Sequence, residues 1–149
     1  MNGPVIRITT YLVSTREAVW NALTNPDITE KYWTNTRLES DWRVGSVVRY
    51  VMKGKVTDEQ TLLVVDPPRR LSYTFKPLHE AFRHEPESRA TFDIAQSGPV
   101  VKLVVTHDNF IAGSKVYEAC SEGWPRILSG LKTLLETGKP LPDAMFPGS

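Results

Sequence analysis

The sequence holds a single cysteine, Cys120, so an internal disulfide is impossible and a reducing compartment is expected. A dominant charge is missing as well. Lys and Arg number 18 against 17 Asp and Glu, and a formal net charge of +1 leaves no field to draw the chain to nucleic acid or an anionic membrane. The Arg69-Arg70 pair is too short to alter this. No apolar run approaches the roughly 20 residues that span a bilayer. The opening MNGPVIRITTYLV has no basic segment followed by an apolar one and no cleavage site. A cytoplasmic protein is expected, with no nucleic acid and no membrane among its partners, and a monomer or weak homodimer is taken as its expected state.

Catalytic signatures are equally scarce. His79, His84 and His107 show no His-Glu-x-x-His spacing and Cys120 has no neighbouring cysteine, so no metal site is read, and no cofactor is implied. Gly-x-Ser-x-Gly and phosphate-loop patterns are absent. Asp108 would point to the opposite face of a strand from His107, which deprives that histidine of an acid–base partner. No catalytic residue is assigned.

What the 149 residues do contain is 40% hydrophobic and 23% charged, the composition of one globular domain with a real core. VIRITTYL alternates as a half-buried strand, with Ile6, Ile8 and Leu12 on one face. A helix follows, with Ser14 as the expected N-cap, Glu17 at capping-box distance, Val19, Ala22 and Leu23 as its apolar stripe, and Asn25-Pro26 as its stop. DITEKYW, Asp27 to Trp33, reads as a second short helix. Strands come next. Val48, Tyr50 and Met52 share a face, and Lys55 to Asp66 is long enough to require a bulge that leaves its facing open. After the Pro67-Pro68 break, Leu71, Tyr73 and Phe75 point inward. A polar connection over 76–88 contains Phe82 between His79 and His84, a possible lid. Ala90, Phe92 and Ile94, then Val101, Leu103, Val105 and His107, form the inward faces of a hairpin turning at Ser97-Gly98. A final helical region spans about Gly113 to Thr137, closed by Gly138 with Pro140 just beyond.

This order is α+β: a predominantly antiparallel sheet whose apolar face is covered by the C-terminal helix. The stripe Val116, Cys120, Trp124, Ile127, Leu131, Leu134 and Leu135 fits that task. Gly123, Trp124 and Pro125 interrupt it. The expectation is a kink or break there, dividing the helix in two, with Gly123 and Gly130 allowing close backbone approach. Trp124 would then border an apolar cavity, with Trp33 and Phe110 near its mouth; the plainer alternative is a core tryptophan filling the kink.

Trp33, Tyr50, Tyr73, Phe75, Phe92, Phe110, Tyr117 and Trp124 come from different elements that this fold brings to one side, and His107 adds a polar group at a strand end. Aromatics around a few polar groups describe a small-molecule site, and equally a dry core. Together these residues are the candidate ligand-binding set. Cys120 is expected to be a buried, unreactive thiol.

The segments STREAVWNALTNPDITEKYW, DWRVGSVVRY, VDPPRRLSYTF, VTHDNF and GWPRILSGLKTLLETG, taken in order, resemble the activator of heat-shock protein 90 ATPase-like family of the START-like, or helix-grip, superfamily. The resemblance runs from about Ile6 to Gly138. It implies a curved antiparallel sheet wrapped around a long C-terminal helix, with two short helices after the first strand. It implies a single START-like domain over 1–149, with its core at 5–138 and a tail at 139–149. The eukaryotic co-chaperones that name the family carry an additional N-terminal domain that is important for chaperone activation, and the resemblance here is to the START-like domain. Across the superfamily the recurring theme is an apolar cavity. The resemblance therefore implies a small hydrophobic ligand as partner. The alternatives are a cyclase- or hydrolase-type enzyme using His107 and tyrosine hydroxyls, and a module that binds a protein partner such as a chaperone.

Overall fold

A computed structural model describes residues 3–142, so most of the 139–149 tail lies outside the described residues. The elements run β1 (Ile6–Val13), α1 (Arg16–Thr24), α2 (Pro26–Tyr32), β2 (Thr36–Glu39), β3 (Val47–Met52), β4 (Lys55–Asp66), β5 (Arg70–Phe75), β6 (Ser88–Ser97), β7 (Val100–Asp108) and α3 (Lys115–Thr137). The strands form one seven-stranded sheet in the order β1-β7-β6-β5-β4-β3-β2, with every neighbouring pair antiparallel. The sheet curls around α3, and α1 and α2 stand between its first two strands in sequence: a helix-grip fold. No helix among the described residues is long and apolar enough to cross a membrane.

Period-2 alternation sets the inner face. Leu71, Tyr73, Phe92, Ile94, Val101, Leu103, Val105 and His107 are all buried, as their spacing predicts. In β4 two residues fall out of register: Thr57 lies between the Tyr50–Asp58 and Val51–Val56 pairs, and Leu63 between the Leu62–Tyr73 and Val64–Ser72 pairs. Each extra residue inverts the alternation that follows it. Between the bulges, Asp58, Gln60 and Leu62 point into the core. This is why the facing of β4 could not be read from its sequence.

The first helix starts one residue later than its capping pattern predicts. Thr15, in an extended conformation at φ −114 and ψ 153, is the N-cap, and its Oγ1 accepts from the Ala18 amide at 3.1 Å. Glu17 becomes the second helical residue, too early to close a capping box on Ser14, and pairs with Arg16 instead. Asn25 ends α1 with its N–H to the Asn21 carbonyl and starts α2 with Oδ1 accepting from Asp27. The β6–β7 turn is centred on Gly98-Pro99 rather than Ser97-Gly98, with Gly98 at φ +57; Ser97 still pairs with Val100.

The expected division of the C-terminal helix does not occur. α3 runs unbroken from Lys115 to Thr137 with Pro125 inside it. A proline there costs about 3 kcal/mol and one hydrogen bond. Packing on both sides of it offsets that loss: Val116, Cys120 and Trp124 before, Leu128, Leu131 and Leu134 after, all buried on one core. The buried stripe takes Leu128, while Ile127 and Leu135 are only partly covered. The two glycines differ. A Cβ on Gly130 would stand 3.1 Å from the Tyr32 carbonyl, so α3 and α2 touch there. A Cβ on Gly123 would meet nothing within 4 Å, which corrects the expectation of close approach at that position. At its other end α3 secures the sheet's β1 edge, through Lys132 Nζ to the Tyr11 carbonyl at 2.6 Å and the Val13 amide to Glu136 at 2.8 Å.

Candidate functional site

The N-terminal half of α3 carries no leucine, and the sheet does not close on it. A cavity of about 310 Å³ lies between Val116–Ile127 of α3, the inner face of β3–β5 and the connection 76–87. Four of the expected aromatic residues line it: Trp33, Tyr50, Phe75 and Trp124. Their rings form a closed circuit. Centroid distances are 5.6 Å for Trp33–Tyr50, 6.2 Å for Tyr50–Phe75, 6.4 Å for Phe75–Trp124 and 5.6 Å for Trp124–Trp33. Three of these contacts are edge-to-face, the arrangement aromatic quadrupoles favour.

The remaining candidates stand behind that wall. Tyr73 is fully buried, its hydroxyl 2.6 Å from that of Tyr50. Phe92 packs on Trp124 at 5.6 Å. Phe110 is buried and stacked on His107 at 4.3 Å, with Tyr117 against its other side at 5.4 Å. Phe110 therefore belongs to the core and not to the mouth of the cavity. Trp33 does line the cavity, while remaining only 4% exposed.

His107 is buried with both ring nitrogens occupied. Its Nδ1 accepts from Trp124 Nε1 at 3.0 Å, which leaves the ring proton on Nε2, donated to Ser88 Oγ at 2.7 Å. Burial pushes its pKa down to about 3, against a smaller upward pull from Asp108. Asp108 itself faces outward in a bidentate pair with Arg89 at 2.8 and 2.9 Å. His107 thus orients Trp124 from behind and does not border the cavity.

The polar part of the wall is Asp58, Thr57 and His79. The sequence reading missed Asp58. The alternation of Asp58, Gln60 and Leu62 has no fixed phase in the sequence, because the slips of β4 against β3 and β5 set which of its faces turns inward. Burial raises the Asp58 carboxyl to about 6, with hydrogen bonds from Thr57 and Gln60 opposing. Burial, then the nearby Asp58 and Glu85 charges, raises the Cys120 thiol to about 12, so this wall residue stays protonated. Tyr50 and Tyr73 are also held well above the usual phenol value, chiefly by burial.

His79 and Phe82 bring the 76–87 connection over the cavity, their rings 5.7 Å apart. Glu85 ties the connection down. Its carboxylate accepts from Ser114 Oγ at 2.5 Å, from the Lys115 amide at 2.8 Å and from the Val116 amide at 3.3 Å, across the N-terminus of α3. Lys76 Nζ holds the same segment through the carbonyls of Arg83 and Glu85 at 2.8 and 2.6 Å.

Comparison with known proteins agrees with this architecture. A family model described as "Activator of Hsp90 ATPase homolog 1-like protein" matches residues 14–136. No curated protein matches significantly in sequence. Among solved structures, CalU16 from Micromonospora echinospora superposes with a TM-score of 0.73 at 21% identity, over 95% of this chain and 79% of that one. The Aha1 dimer from Colwellia psychrerythraea gives 0.76 at 20% identity, over 91% and 98% of the two chains. An HSP90 activator from Plasmodium falciparum gives 0.76 at 20%, over 89% and 96%. At these identities the likeness is one of fold.

Proposed function

The chain belongs to the activator of Hsp90 ATPase homolog 1-like family, and from that premise we propose that it binds a small apolar or amphipathic ligand in the cavity between α3 and the sheet. The observation that carries this reading is the ring circuit of Trp33, Tyr50, Phe75 and Trp124 around about 310 Å³ of unfilled space. Aromatic and aliphatic side chains line most of this cleft, and a ligand that covers them removes apolar surface from water. The volume sits at the lower end of the range for small-molecule sites, about 300–1,000 Å³. The setting we propose is cytoplasmic, with the protein a monomer or weak homodimer.

Native mass spectrometry of freshly purified protein tests this reading, with a co-purifying adduct as the expected result. Absence of an adduct, together with tryptophan emission unmoved by a panel of hydrophobic compounds, would sink it.

A second reading, a module that binds a chaperone, has the family match in its favour. Stimulation of the host heat-shock protein 90 ATPase by the purified protein is its test. The enzyme alternative is weakened, because His107 is bonded on both ring nitrogens and lies behind Trp124.

A further inference from the structure

The apolar-ligand reading leaves one group in the cavity wall without a task, the carboxylate of Asp58. Asp58 is 9% exposed and pairs with Tyr50 across β3 and β4. It shares the cavity wall with Trp33, Phe75 and Trp124. Its hydrogen-bonding neighbours, Thr57 and Gln60, are neutral. The bond from Gln60 Nε2 is long at 3.3 Å, and Gln60 Oε1 is already engaged by the Lys76 amide at 2.6 Å. Among the described residues no Lys, Arg or His forms an ion pair with Asp58. The ammonium of Lys76 is directed instead at the carbonyls of Arg83 and Glu85. A carboxylate taken out of water without a cation destabilises the fold that holds it.

The groups facing Asp58 supply no positive charge of their own. From β3 and β5 they are the Tyr50 and Tyr73 hydroxyls, and from α3 the Cys120 thiol, all held neutral chiefly by burial. From the 76–87 connection the wall residue is His79, exposed at the mouth, with Nδ1 accepting from the Ala81 amide at 3.0 Å. What remains is aromatic. The negative faces of tryptophan, tyrosine and phenylalanine rings attract cations, and they do so more strongly where water is excluded. A single carboxylate set in an aromatic enclosure is the chemistry that recognises an ammonium group.

We propose that the ligand of this cavity carries a basic nitrogen on an apolar or aromatic body, and that Asp58 receives the resulting ammonium. This rests on the ligand-binding reading above and names its substrate class. The other ligand chemistry that Asp58 could serve, a neutral carbonyl accepting from a protonated carboxyl, requires the acid form. With a value near 6, Asp58 is mostly ionised at about pH 7.5. An anionic ligand would meet Asp58 as a like charge.

The test uses three probes of one shape, naphthylmethylamine, naphthalenemethanol and naphthoic acid, titrated calorimetrically into the full chain at about pH 7.5. The amine is expected to bind at least about tenfold more tightly than the alcohol, and the acid most weakly. Asp58→Asn should erase the amine's advantage over the alcohol, and a cooperative urea transition of the variant reports that it is folded. A measurement on the unmutated chain supports the variant. Lowering the pH from about 7.5 to about 5 protonates Asp58 while the amine stays charged, so amine affinity should fall several-fold and alcohol affinity should not. A His79→Gln variant run in parallel isolates Asp58 from the other ionisable group at the mouth. Equal binding of amine and alcohol, or tightest binding of the acid, overturns the proposal and leaves the cavity reading standing. Failure of all three probes overturns this proposal, and the search for a co-purifying adduct then decides the cavity reading separately.

Discussion

The indole N–H of Trp124 donates to Nδ1 of His107 at 3.0 Å, and this one bond sets the role of both residues. It locks the histidine in a neutral tautomer and turns the tryptophan so that its ring closes the aromatic circuit of the cavity.

Replacing His107 should therefore affect the fold first and the cavity second. His107→Leu leaves the Trp124 N–H and the Ser88 hydroxyl without their partner in a dry environment, a loss of about 2–4 kcal/mol. In a Trp20→Phe, Trp42→Phe background the remaining tryptophan emission should shift to the red. A denaturant midpoint that stays in place at constant slope would show that the bond contributes nothing.

The pH dependence of stability follows from two groups of opposite sign. His107 has a folded value of about 3 against 6.5, so its contribution is fully present above about 6.5 and is lost as pH falls toward 3. Asp58 has a folded value of about 6 against 3.8, so it favours the fold at low pH and that contribution is lost as pH rises through 6. Between about pH 6 and 4 the two slopes oppose each other. Asp58→Asn should stabilise the protein near neutral pH by on the order of 2 kcal/mol and steepen its loss of stability below pH 6. Parallel stability curves for the variant and the parent would contradict the Asp58 assignment.

The caps give a sharp local comparison. Thr15→Ala should cost about 1 kcal/mol, because its hydroxyl caps the Ala18 amide, and Ser14→Ala should cost a few tenths at most. Urea midpoints for the pair decide it, and the reverse ranking would restore the capping box at Ser14.

The two helix glycines should respond in opposite directions. Gly123→Ala gains about 1 kcal/mol of helix propensity and meets no neighbour. Gly130→Ala places a methyl 3.1 Å from the Tyr32 carbonyl and should destabilise despite the same propensity gain. Gly123→Leu should fill the cavity and weaken ligand binding while the fold persists. Unchanged ligand affinity in that variant would place the binding site elsewhere.

Much of this architecture was legible in the chain because it depends on local periodicity. Alternation alone put Leu71, Tyr73, Phe92, Leu103 and His107 on the inner face, and the stripe through Val116, Cys120 and Trp124 assigned α3 to cover it. The end of α1 at Asn25-Pro26 and the close of α3 at Gly138 were readable for the same reason, since capping and chain stops act within a few residues. Other features were decided by contacts between distant segments. Pro125 is a helix breaker by local rules, yet α3 runs through it because both flanking turns are packed on the sheet. The inward phase of Asp58 depends on where β4 slips against β3 and β5, and no local pattern in Lys55 to Asp66 contains that information. Whether an aromatic residue lines a cavity or fills a core is likewise a question of what stands opposite. Trp33, Tyr50 and Phe75 border the cavity because α3 presents to them, beside Trp124, only the small residues Ala119, Cys120 and Gly123. Phe92 and Phe110, of the same chemical kind, meet larger side chains, Trp124 for the one and His107 and Tyr117 for the other.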